Sequence, residues 1–148
     1  MNRAIELRVR ADLSELSAVR DVLDGLGAEF SIPARALMQL QIATDEVLSN
    51  VVKYAWADGG DHEYLVRIDV RAEGVDLHIV DDGQPFDPWS APAPAPSAHA
   101  RLPQPGGLGI HMDKQLVDRY RYERIDGRNH TTLSKTYDIG RTDSGSDQ

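Results

Sequence analysis

The sequence predicts an α+β fold, a two-layer α/β sandwich in which a mixed sheet carries helices on one face. Three observations predict it. Short segments of period-2 hydrophobicity recur along the chain, two amphipathic segments of helical period stand together after the first of them, and there is no regular βαβ alternation of the kind that builds a doubly wound parallel sheet.

Residues 4–11 place Ile5, Leu7 and Val9 on one side and Glu6, Arg8 and Arg10 on the other, a half-buried strand. Asp12 then precedes Leu13, Leu16, Val19, Val22, Leu23 and Leu26, apolar at steps of three and four, with Gly27 as the expected stop. Ser31 and Pro33 open a longer helix reaching about Trp56, with Leu37, Leu40, Val47, Val51 and Tyr54 on one face. After the turn-rich AWADGGDHE, Tyr64, Val66, Ile68 and Val70 alternate with polar neighbours, and Glu73-Gly74 turns the chain into Val75, Leu77 and Ile79, so the two strands form a hairpin. Seven of eight prolines lie between Pro85 and Pro105, which excludes both a sheet ladder and a helix interior and predicts a long loop at about 86–106. Gly106-Gly107-Leu108-Gly109 opens a helix through Ile110, Met112, Leu116 and Val117. RYRYERI, a turn at Gly127-Arg128-Asn129, and TTLSKTY then close the sheet. One domain over 1–139 and a polar, frayed tail over 140–148 complete the reading.

Composition narrows the function. The 148 residues suit one core, and 41% hydrophobic with 27% charged residues is an ordinary globular balance. No apolar run approaches the roughly 20 residues that span a bilayer, and the N-terminus shows no secretory pattern, so a cytoplasmic protein without membrane attachment is expected. A net charge of −8 opposes direct nucleic-acid binding, and the absence of cysteine removes thiolate chemistry. The five histidines show no pairing at i,i+3 or i,i+4, so a protein-built zinc site is not expected.

Three groups of residues could carry chemistry. Glu46, Asn50 and Lys53, spaced by four and three, project from one stripe of the long helix beside apolar Val47, Leu48, Val51 and Val52. On spacing alone an exposed polar face reads equally well. Asp81-Asp82-Gly83-Gln84-Pro85 ends a strand and, taken alone, signals a turn. The glycines at 106, 107 and 109 let backbone amides approach an anion at a helix start, where unpaired N–H groups suit phosphate, although no Gly-Lys-[Ser/Thr] follows as a P-loop requires.

Taken together, E-x-x-x-N-x-x-K-Y on a helix, D-x-G-x-P ending a strand, a lid and G-L-G at a helix start resemble the Bergerat-type ATP-binding fold of the GHKL superfamily, shared by gyrase, Hsp90, histidine kinases and MutL. The short form with D-D-G-x-P-F-D-P and G-G-L-G-I-H is similar to the anti-sigma-factor serine kinases of bacterial partner-switching systems. The resemblance implies that Asn50 coordinates a Mg²⁺ bridging the phosphates of ATP and that Asp81 accepts from the adenine amino group, with Gly83 letting the base lie close. It implies that Gly107, Leu108 and Gly109 wrap the phosphates, that Lys53 reaches phosphate oxygen, and that Glu46 accepts the proton of the attacking hydroxyl. The implied partners are an antagonist protein of STAS type whose serine is phosphorylated, a sigma factor, and a second copy of the chain in a homodimer.

The chain departs from the pattern at three points. Pro85 replaces a glycine, Pro105 and Gly106 stand where some of these kinases carry a phosphate-facing Arg, and Asn129 sits where many relatives have a Thr near adenine. The second departure leaves room for a nucleotide-gated sequestering protein without catalysis. A histidine-kinase catalytic domain fits less well, since Glu46 stands where those usually have Asn.

Overall fold

The computed structural model describes residues 2–58, 60–90 and 116–138. Strand β1 (Arg3–Arg10) leads through a short 3-10 turn into helices α1 (Leu16–Glu29) and α2 (Ala34–Tyr54). Strands β2 (Glu63–Arg71) and β3 (Gly74–Asp81) follow, and β4 (Arg119–Ile125) and β5 (Arg128–Thr136) close the described fold. The expected two-layer α+β class holds, and among the described residues the sheet is antiparallel where a mixed one was expected. All five strands pair antiparallel in the order β1-β2-β3-β5-β4. The reason is the helix count: with two helices between β1 and β2 the chain reverses three times, so β2 returns antiparallel to β1, and the other paired neighbours continue the alternation.

One sheet face carries Val66, Ile68 and Val70 of β2, Val75, Leu77 and Ile79 of β3 and Leu133 of β5, all essentially sealed. Against them lie Val19, Leu23 and Leu26 of α1 and Leu40, Ala43, Val47 and Val51 of α2, in one continuous core. Trp89 is buried in that core and donates from Nε1 to the Arg121 carbonyl at 3.1 Å. The other face is polar, and there the register sets His78 beside His130, with Nε2 and Nδ1 3.1 Å apart. Among the described residues no cluster of three or more His, Cys, Asp or Glu could hold a metal, and no helix is long and apolar enough to cross a membrane.

Three punctuation marks fall differently from the sequence reading. Gly27 does not stop α1, which runs on to Glu29. Its bare Cα marks a close helix contact, since a Cβ there would meet Leu37 Cδ2 at 2.6 Å, and the chain turns instead at Ser31 with φ 55°. In the first hairpin the turn residues are Ala72-Glu73. Gly74 belongs to β3, pressed against the Lys135 carbonyl. In the last hairpin the turn is Asp126-Gly127, with φ 49° and 76°, the two left-handed residues of a type I′ turn, so Arg128 and Asn129 lie within β5. That shift places Asn129 opposite Asp81. The segment 91–115, containing most of the expected lid and the glycine-opened helix, lies outside the described residues, as does the tail.

The two hairpin glycines are expected to respond differently to alanine. Gly127→Ala meets open space and loses only conformational ease, about 1 kcal/mol. Gly74→Ala places a methyl 2.7 Å from a backbone oxygen and costs more, about 1–3 kcal/mol. Urea midpoints of the two variants check the order.

Candidate functional site

Helix α2 forms because Leu40, Ala43, Val47 and Val51 repeat at helical spacing and bury one face, leaving Glu46, Asn50 and Lys53 on the adjoining stripe. Depth separates these three. Glu46 is half-buried, Lys53 is exposed in the last turn, and Asn50 is sealed at 0% exposure. Among the described residues neither Oδ1 nor Nδ2 of Asn50 has a hydrogen-bond partner. A buried carboxamide without partners costs about 1–3 kcal/mol at each unmet group.

Burial is also the main influence on Glu46, pushing its carboxyl above the ordinary value, while the Lys53 ammonium pulls the other way. A carboxylate raised toward neutrality is a better proton acceptor at cellular pH.

Asp81 closes β3 on the helix-facing side of the sheet and is only 4% exposed. Its Oδ1 accepts from the Gly83 amide at 2.9 Å and from Asn129 Nδ2 at 2.8 Å. Burial raises the Asp81 carboxyl above its usual range, and these two donors restrain the rise. The chain then presses against the end of α2. A Cβ on Gly83 would lie 2.3 Å from the Ala55 carbonyl oxygen, so the demand for glycine comes from the helix, a packing role that the turn reading did not foresee. Gln84 donates from its amide to the Ala55 carbonyl at 2.7 Å and from Nε2 to the Tyr54 carbonyl at 2.8 Å, capping two carbonyls that α2 leaves open. Asn50, one turn before Tyr54, and Asp81, three residues before Gln84, are thereby brought to the same corner of the molecule.

Two residues of β5 join this corner. Asn129 is fully buried against Asp81, and Thr131, also at 0% exposure, keeps a hydroxyl without a partner among the described residues. The sequence reading noted Asn129 only as a departure and passed over Thr131. The Asp126-Gly127 turn was the available signal, because a D-G turn sets the register that puts both residues on the helix-facing side. Trp56 donates to Asp82 at 3.1 Å and stacks on His62, and Phe86 leans on Tyr54, so these aromatics brace the same loop. Gly107, Leu108 and Gly109 lie outside the described residues. What the described corner offers is a carboxamide oxygen suited to a hard cation, an acid and a hydroxyl at a strand end suited to a nucleobase edge, and a proton acceptor one helical turn from the carboxamide.

Comparison with known proteins identifies the family. The model of the histidine kinase-like ATPase domain matches residues 9–135. The serine/threonine-protein kinase BtrW of Bordetella bronchiseptica is 34% identical over 103 residues, 68% of this chain and 71% of that protein. The serine-protein kinase RsbW of Bacillus subtilis is 24% identical over 132 residues, 83% of this chain and 79% of its own. The crystal structure of the RsbU and RsbW domains of Rv1364c from Mycobacterium tuberculosis shares the fold, with a TM-score of 0.61 at 18% identity. That match covers 90% of this chain and 32% of the larger one. The buried carboxamide, the acid at the strand end and a family match over most of the chain place this protein in the histidine kinase-like ATPase domain family.

Proposed function

We propose that this protein is a Mg²⁺- and ATP-dependent serine kinase that phosphorylates an anti-sigma-factor antagonist and sequesters a sigma factor. The observation that carries the reading is Glu46 one turn ahead of a sealed Asn50 that has no partner among the described residues. The names of the relatives BtrW and RsbW, both serine kinases, support it.

In this reading Asn50 Oδ1 holds Mg²⁺ together with phosphate oxygens, and the bound ion supplies neutralisation of phosphate charge. Lys53 adds a second positive charge from the same stripe. Asp81 accepts from the adenine amino group, Thr131 offers its hydroxyl to the same base, and Gly107, Leu108 and Gly109 wrap the phosphates. Glu46 accepts the proton of the antagonist's serine as its Oγ bonds the γ-phosphorus and the bond to the β-phosphate oxygen breaks, releasing ADP. The new phosphate adds negative charge to the antagonist opposite a kinase that itself carries −8, which weakens docking and frees the kinase for the sigma factor. The active form in this reading is a cytoplasmic homodimer, with a STAS-type antagonist as substrate. The missing Arg ahead of the glycines favours one alternative, a nucleotide-gated sequestering protein that binds ATP without transferring phosphate.

Saturating Mg-ATP at about 100 times Kd stabilises the wild type by about 2.7 kcal/mol, and Asn50→Ala and Asp81→Ala lose that gain in thermal melts. Glu46→Gln keeps the nucleotide-dependent gain and lowers phosphoserine formation on the antagonist by about 10²–10⁴-fold. Equal phosphoserine yields from Glu46→Gln and wild type would remove Glu46 as base, and no phosphoserine from either would favour the sequestering alternative.

Without nucleotide, Glu46→Gln is also the more stable protein at neutral pH. Because the folded carboxyl titrates above the unfolded one, the native state binds more protons in that window, and stability falls as pH rises through it. The advantage of the Gln variant grows across that window and vanishes by about pH 3, where both states are protonated. Paired melts across pH check the sign.

A further inference from the structure

The hydrogen bonds around Asn129 exceed what a strand residue needs. Its Nδ2 donates to Asp81 Oδ1 at 2.8 Å and to the Gln84 carbonyl at 2.8 Å. Its Oδ1 accepts from Tyr122 Oη at 2.5 Å, Arg124 Nη1 at 3.0 Å and the Phe86 amide at 3.4 Å. The amide has one workable orientation. Flipped, its oxygen would face a carboxylate and a carbonyl while its NH₂ faced a guanidinium and an amide N–H. Arg124 Nη1 also donates to the Gly83 carbonyl at 2.8 Å, so the β4–β5 hairpin grips two consecutive carbonyls of the loop after Asp81.

We propose that Asn129 is the positioning residue of the nucleobase site, holding the Asp81 carboxylate by one oxygen and turning the other toward the base. The proposal rests on the reading of Asp81 as the adenine acceptor. Both hydrogen bonds that reach Asp81 among the described residues fall on Oδ1, from Gly83 and Asn129, which leaves Oδ2 for the ligand. Asn129 has a second effect through chemistry. Burial disfavours the charged carboxylate and a donated N–H favours it, so the carboxamide works toward the form that can only accept. A carboxylate that only accepts suits the amino group of adenine and opposes the carbonyl oxygen that guanine presents at the same position. Tyr122, Arg124 and the Phe86 amide hold the far side of the carboxamide, so the setting of Asp81 is passed on to the loop that opens the proline-rich segment.

The test uses the full-length protein and ADP as probe, with affinity measured by calorimetry from about pH 5.5 to pH 8.5 for wild type, Asn129→Asp, Asn129→Ala and Asp81→Asn. Asn129→Asp keeps the oxygen that meets Tyr122 and Arg124 but sets a carboxyl against Asp81. At low pH the pair shares one proton and an O–H···O bond replaces the lost N–H···O bond, whereas at high pH both ionise and repel. ADP affinity of this variant is therefore expected to rise roughly tenfold or more as pH falls across the range, while wild type does not gain. A pH-independent affinity for Asn129→Asp, whether equal to wild type or uniformly weaker, overturns the proposal. If that variant fails to fold, Asn129→Ala decides. Its acid-side loss of ADP affinity is expected to begin about one pH unit above that of wild type, because Asp81 has lost a donor to its charged form, and an unmoved profile overturns the proposal. Failure of the underlying reading looks different, since it would appear as wild type that does not bind ADP or as Asp81→Asn that binds it undiminished.

Discussion

Helix α2 and strand β3 are fastened end to end where Gly83 touches Ala55. The approach leaves no space for a side chain, since a Cβ would sit 2.3 Å from the Ala55 oxygen, and Gln84 fills the two carbonyls that the helix leaves open. Everything proposed for the site depends on this join. The carboxamide of Asn50 is set by the helix, the carboxylate of Asp81 by the strand, and their relation by the three residues between Asp81 and Pro85. A backbone contact with no rotamer freedom transmits position better than two flexible side chains could.

The corner is expensive for the apo fold. Asn50 and Thr131 bury polar atoms with no partner among the described residues, and Asp81 and Glu46 carry carboxyls that burial pushes upward. Each of these lowers stability without ligand, and in the proposed function each would be relieved: an ion for a carboxamide oxygen, a base edge for an acid and a hydroxyl, a proton for a raised carboxylate. The core has the means to carry this cost. Val66, Ile68, Val75, Leu77, Ile79 and Leu133 are sealed beneath two helices, and strain confined to one end of the sheet leaves that packing intact.

Much of this was legible from residue order. The period of α2 put Glu46, Asn50 and Lys53 on one stripe, and the alternation in β2 and β3 named the residues that face the core. What stayed hidden were contacts between segments distant in sequence. Gly27 resembled a helix stop because glycine commonly ends helices, yet it lies inside α1 where Leu37 crosses. The end of the last turn was read two residues late, enough to take Arg128 and Asn129 out of the sheet, because the preference of Asp-Gly for left-handed backbone competed with a plain reading of Gly-Arg-Asn.

By itself the sequence determined the element types, the α+β class and the helical stripe, because these follow from periodicities of 3.6 and 2 that are local to each segment. It also carried, through the order of its motifs, the family to which the chain belongs. Only the tertiary structure decided that the five described strands all pair antiparallel, that Asn50 is sealed without a partner among the described residues while Lys53 three residues on is exposed, and that Asn129 faces Asp81. Those are properties of depth and cross-strand register, and they are set by which surfaces exclude water together, a quantity that no single segment contains.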